Sequence, residues 1–204
     1  MQQKSAFDPK ILMTGTNGHA GERQVNRLQR DRRLRGDRLV QYNQPPMKGK
    51  QKVIAELNQA LKEELTAINQ YFLHAEMCEN WKYDKLGDYI KKQSIDEMKH
   101  AEALIERILF LDATPNMTEL LHISVGKNVK EQIASDLKLE LEAVEMYNAA
   151  IRVAQEEGDN ASRELFEKLL KNEEEHVDWL EAQLHQMDEM GYERYLSQQI
   201  REEE

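Results

Sequence analysis

The chain has 204 residues, a net charge of −10 and one cysteine. That length suits a single sizeable domain, and a lone Cys78 excludes both a disulfide framework and a thiolate-held zinc or iron–sulfur centre, which points to a cytoplasmic setting. No apolar run approaches the roughly 20 residues that span a bilayer, and "MQQKSAFDPK" lacks the apolar core of a signal peptide, so neither a membrane partner nor export is expected.

Residues 1–46 differ from the rest. They carry nine Lys/Arg against four Asp/Glu, so this leader stands at +5 and the body, 47–204, at −15. Its stretch "ERQVNRLQRDRRLRGDRL" is rich in arginine and poor in apolar residues, the composition of a disordered tail. The acidic body argues against a nucleic-acid surface and is compatible with handling cations.

The prolines are Pro9, Pro45, Pro46 and Pro115, which leaves two long proline-free blocks. In the first, Leu57, Leu61, Leu65, Ile68, Phe72 and Ala75 recur at three-and-four spacing and predict an amphipathic helix from about Gln51 to Trp81. After a turn at "KYDKLGD" the pattern resumes and stops at "DATPN", where Asp112 and Pro115 mark the break. The second block repeats the plan over "NVKEQIASDLKLELEAVEMYNAAIRVAQEEG" and, past the turn "GDN", "ASRELFEKLLKNEEEHVDWLEAQLHQMDEMG". Short, long and short connections describe an all-α four-helix bundle with one long crossover, and "YERYLSQQIREEE" reads as a short C-terminal fifth helix.

Glu97 and His100 lie three residues apart on one predicted helix, and "EEEH" repeats the pair as Glu173 and His176. A single such pair arises easily on an acidic helix. Here, however, an offset of 76 relates the two pairs, and the same offset carries Glu64 onto Glu140. It also matches Leu65 with Leu141, Ala67 with Ala143, Tyr71 with Tyr147 and Leu104 with Leu180, as a duplicated helical hairpin would.

Apolar neighbours bury the face of Glu64, among them Leu61, Leu65 and Phe72, and Leu137, Leu141 and Val144 do the same for Glu140. Buried carboxylates call for cations. One Glu from each of two helices with Glu-x-x-His from each of the others is the ligand pattern of ferritin-like di-iron and di-manganese proteins. Oxygen and imidazole donors suit Fe(II) or Mn(II), with zinc as a competitor. Tyr71 returns to the Glu64 face two turns on, where it can hydrogen-bond a ligand, donate an electron to an oxygen species at the metal, or simply pack.

Met98 points about 100° away from Glu97 and about 160° from His100, so it serves another face. That face continues through Ala101, Ile105 and Leu109 and, on the first helix, Leu65, Ile68, Asn69 and Phe72, which exceeds the needs of one core. A thioether is a soft axial ligand for haem iron, and Ala101 leaves room for a flat macrocycle; a packing methionine is the alternative.

From "MKGKQKVIAELNQALKEELTAINQYFLHAEM" through "SIDEMKHAEALIERILFL", "SDLKLELEAV" and "EEEHVDWLEAQL" to "YLSQQIREEE", residues 47–204 resemble a bacterioferritin. The resemblance implies that Glu64, Glu97, His100, Glu140, Glu173 and His176 are di-iron ferroxidase ligands. It implies that Met98 binds haem b, one per subunit pair. It further implies a homo-oligomeric 24-subunit cage that oxidises Fe(II) with oxygen or hydrogen peroxide, stores ferric mineral, and takes electrons from a small ferredoxin for iron release.

Two features depart from that family. Lys92 stands where some members place a histidine, with Asp96 kept, which puts an inner-surface iron site in doubt. Residues 1–46 have no counterpart, and "MKGKQKVI" from Met47 reads as the family's ordinary start, with the leader an upstream stretch. Alternative readings are a di-iron or di-manganese peroxidase or catalase, a structural haem-bearing subunit, and a DNA-protecting mini-ferritin-like cage. The absence of a CxxC module argues against a rubrerythrin.

Overall fold

A computed structural model of the chain describes residues 48–201. The reading of residues 1–46 as a separate basic leader falls outside the described residues. Five helices follow in order: α1 (Gln51–Asn80), α2 (Asp84–Phe110), α3 (Val129–Glu156), α4 (Asn160–Met190) and the short α5 (Tyr192–Ser197). α1 packs along α2 and α3 along α4, and the two hairpins meet mainly through α1 and α3. No helix among the described residues is long and apolar enough to cross a membrane.

The ends of these helices follow local chemistry. Asn128 caps α3 by accepting from the Glu131 backbone N–H at 2.9 Å, and Asp159 caps α4 by accepting from that of Ser162 at 3.1 Å. Arg107, near the end of α2, reaches the same Asp159 at 2.6 Å and ties the two hairpins together. Gly191 takes φ +85°, a left-handed conformation that glycine adopts without strain, and this separates α4 from α5.

Several boundaries differ from the sequence reading. The turn predicted over "KYDKLGD" is only Trp81 to Tyr83, because α2 already begins at Asp84. Gly87 is therefore helical; a Cβ there would sit 2.8 Å from Glu79 Cγ, so its role is close approach of α2 to α1. Asn160, expected in a turn, is the first residue of α4, and α5 stops at Ser197. Phe72 and Leu141 were assigned to buried faces but are 50% and 45% exposed. Ala67, Leu139 and Ala143 bury the carboxylates instead.

Two apolar layers form the core. One holds Leu57, Leu61, Leu104, Ile108 and Phe166; the other holds Ala75, Cys78, Ile90, Ile133 and Met187. Cys78 is buried there, as a packing residue should be.

The long crossover, residues 111–128, is held by a polar stripe on α1. Thr66 Oγ1 accepts from Leu121 N–H at 2.9 Å, and Gln70 Oε1 accepts from Ser124 N–H at 2.8 Å. His74 Nε2 lies 3.1 Å from the Ser124 carbonyl. Behind them, buried Asp136 of α3 accepts from Gln70 Nε2 at 2.8 Å and pairs with His74 Nδ1 at 2.9 Å. The spacing of 66, 70 and 74 is one turn each, so a single face of α1 supplies the whole latch.

Candidate metal centre

All six expected ligands converge between the two core layers. Glu64, Glu97, His100, Glu140, Glu173 and His176 are each at most 8% exposed. They form two groups of four, Glu64, Glu97, His100 and Glu173, and Glu97, Glu140, Glu173 and His176; within each group the donor atoms lie within 4.8 Å of one another. Glu97 and Glu173 belong to both groups. The offset of 76 read from the sequence thus becomes an approximate two-fold arrangement in space.

The shared carboxylates reach both imidazoles. Glu97 places Oε2 2.8 Å from His100 Nδ1 and Oε1 2.9 Å from His176 Nδ1. Glu173 lies 3.2 Å from each Nδ1. The outer carboxylates serve one side each: Glu64 is 3.4 Å from His100, and Glu140 is 3.7 Å from His176. The imidazole rings are nearly parallel, 20° apart in plane with centroids at 6.1 Å.

These distances are short, yet both oxygens of Glu97, Oε1 of Glu173 and Nδ1 of each histidine lack a hydrogen-bond partner of proper geometry. Buried polar atoms left without partners cost stability unless something else satisfies them. Divalent cations held within the two groups of four would satisfy them, and the donors are of the oxygen and imidazole type that Fe(II), Mn(II) and Zn(II) accept.

Electrostatics lead to the same conclusion. Burial, then the neighbouring Glu173 and Glu97, push the Glu64 carboxyl well above its usual range, and Glu140 is raised by burial and Glu173. Burial would also raise Glu97, but the close approach of the His100 and His176 imidazoles outweighs it and holds Glu97 at about 2. Burial would depress His100, yet contact with Glu173, Glu64 and Glu97 lifts it to about 12. His176 is raised likewise through Glu140, Glu173 and Glu97. Without metal, protons neutralise the cluster, and cations entering it must displace them.

Tyr71 is 2% exposed and its hydroxyl donates to Glu140 Oε1. Tyr147, fully buried, mirrors it by donating to Glu64 Oε1. The sequence reading weighed only Tyr71. The offset pairing of the two tyrosines was the available signal, but nothing in the sequence aims Tyr147 across the bundle. Each phenol orients an outer carboxylate. Tyr147→Phe is therefore expected to weaken cation binding about tenfold with the fold intact, read by titration with Zn(II); unchanged affinity would make Tyr147 a packing residue.

On one side, a cavity of about 430 Å³ reaches His100 and His176 and is lined also by Lys92, Asp96 and Lys168. Asp96 is paired with Lys99 at 2.6 Å, and Lys92 stands in the same wall.

Met98 lies on a separate surface, 47% exposed while Glu97 beside it is 1% exposed. It lines a groove of about 650 Å³ with Leu65, Ile68, Ala101, Ile105 and a second methionine, Met117, from the crossover. Ile95 and Phe72 are exposed as well.

A family model for a ferritin-like domain matches residues 54–190. The chain is 43% identical to the bacterioferritin of Mycolicibacterium paratuberculosis over 152 residues, 74% of this chain and 96% of that protein. It is 44% identical to that of Streptomyces coelicolor over 151 residues, 74% and 90% of the two chains. With the bacterioferritin of Brucella melitensis it shares 43% over 149 residues, 73% and 92%.

Proposed function

Since the chain belongs to the bacterioferritins, within the ferritin-like proteins, we propose that it is a ferroxidase that takes Fe(II) as substrate, oxidises it and stores the ferric product. The observation that carries this reading is the set of unpartnered donor atoms on Glu97, Glu173, His100 and His176. They define two adjoining positions for divalent cations. Glu64 and Glu140 complete one position each, and Tyr71 and Tyr147 hold those outer carboxylates in place.

In this reading the residues divide the work. Glu97 and Glu173 hold two Fe(II) ions side by side, so that an oxidant can draw one electron from each. The imidazoles and outer carboxylates give up protons as the ions bind, and the four carboxylates offset the charge of the two Fe(II) ions. His100 and His176 border the cavity of about 430 Å³, which gives the ferric product a way out toward a store. The oxidant is oxygen or hydrogen peroxide, the assembly a cytoplasmic homo-oligomeric cage of 24 subunits, and a small ferredoxin the electron source for release.

The groove at Met98 fits haem b. It is apolar, its Met98 is half-exposed, and the small Ala101 is part of its lining. Met98 would hold the haem iron, one such methionine coming from each of two subunits, and the bound group supplies a path for electrons.

Aerobic addition of Fe(II) to the full chain tests the reading. A fast ferric absorbance rise saturating at about two Fe(II) per chain is expected, followed by slower uptake of many more ions as mineral. Saturation without further uptake would favour a di-iron peroxidase or catalase instead. Met98→Leu is expected to lose the bands of reduced haem and keep the fast phase. A wild-type protein without haem bands would make the groove an ordinary subunit contact.

A further inference from the structure

The approximate two-fold symmetry of the centre breaks at one place. The offset of 76 pairs Glu63 with Leu139. Both line the same cavity of about 10 Å³, with Ala67 and Ala143 beside them and the carboxylates of Glu64, Glu97, Glu140 and Glu173 around it. That is room for about one water-sized body. The cavity lies at the carboxylate end of the centre, whereas the imidazoles border the larger cavity described above.

Glu63 is 8% exposed. Gln59 Nε2 donates to its Oε1 at 2.8 Å and fixes the side chain, while Oε2 is buried with no partner. A leucine satisfies this wall in the other hairpin, so packing alone does not call for a carboxylate here. Burying a charged oxygen without a partner costs several kcal/mol unless a cation or water meets it. Glu142, exposed on α3, lies near enough for its charge to act on Glu63 and adds a carboxylate on the solvent side.

We propose that Glu63 forms a transient divalent-cation site through which Fe(II) is handed from solvent to Glu64 and Glu140. The inference rests on the ferroxidase reading, and it assigns the carboxylate end as the inlet and the imidazole end as the outlet. The ligands are all oxygen, which suits a partly hydrated Fe(II), Mn(II) or Co(II) ion on its way in. The site is used in passing, because Glu63 belongs to neither group of four that holds the bound pair.

Stopped-flow mixing of Co(II) with the full, metal-free protein reads both steps without redox chemistry. Wild type is expected to take up about two Co(II) per chain, with visible bands reporting the occupied centre. Glu63→Gln and Glu63→Leu are expected to reach the same end point and the same spectrum about tenfold more slowly. The leucine variant repeats the residue the other hairpin uses at this position, so it should fold. An unchanged rate in both variants overturns the proposal. An end point reduced to one Co(II) overturns it as well, by making Glu63 a permanent ligand. A wild type that fails to bind two Co(II) removes the ferroxidase reading and the inlet together.

Discussion

Glu97→Ala is expected to lower the initial rate of aerobic Fe(II) oxidation by at least about a hundredfold, more than the loss of either outer carboxylate, Glu64 or Glu140. Glu97 is one of two residues that touch both cation positions, with one oxygen near each imidazole. Its loss removes a donor from both ions at once and releases the constraint that holds them side by side. Glu64 or Glu140 serves one ion only. The variant should still fold, because the metal-free cluster is crowded with carboxylates and loses one of them. Its circular dichroism should match wild type, and Glu97→Gln, nearly the same size, should show the same kinetic loss. Rapid oxidation at the wild-type rate in either variant would refute the bridging role.

Thermal unfolding of the metal-free and Zn(II)-loaded proteins should respond to pH in opposite directions. Glu64 and Glu140 have folded-state values raised above the ordinary carboxylate range, so their contribution to stability declines as pH rises through those values. The histidines act in the same sense. Their contribution is fully present below about 6.5, the ordinary imidazole value, and is lost as pH climbs toward about 12 for His100. Glu97 acts oppositely, but its contribution is already complete above the ordinary carboxylate value and fades only as pH falls toward 2. Between pH 5 and 9 the metal-free protein therefore loses stability. Zn(II) replaces the displaced protons, and its affinity rises over the same window. At a thousandfold excess over the dissociation constant the gain is about 4 kcal/mol, which is about 8 to 16 °C in Tm for a domain of this size. The metal-induced rise in Tm should be larger at pH 8 than at pH 5.5. A flat or inverted trend would mean that the carboxylates and imidazoles are not the ligands.

The architecture was legible because its signals are periodic. Apolar spacing and the position of Pro115 define the four long helices, and the 76-residue offset brings six ligands into register before any coordinate is known. Features that depend on what lies across the bundle were not legible. Gly87 looks like a turn residue, and only the approach of Glu79 explains it within a helix. Phe72 fits both the Glu64 face and the Met98 face in the sequence pattern, and only its exposure separates the two, since periodicity does not reveal which partner an apolar face meets. Thr66, Gln70 and His74 read as polar interruptions until the crossover backbone they bind is seen. Glu63 is hidden in a run of two glutamates, and only its orphaned oxygen separates it from a solvated neighbour.

The latch on the crossover also sets an order of events during folding. Its hydrogen bonds join residues 50 to 66 positions apart, so loop closure opposes them until both hairpins have formed. Each hairpin alone carries one outer glutamate and one Glu-x-x-His pair, and each cation position draws its shared carboxylates from both halves. A chain still emerging from the ribosome, with only its first hairpin formed, offers three of the four donors of one position and one of the four of the other. On the proposed ferroxidase reading, neither cation position is complete until the hairpins dock, so the pair of ions that the reaction needs would assemble only with that last step.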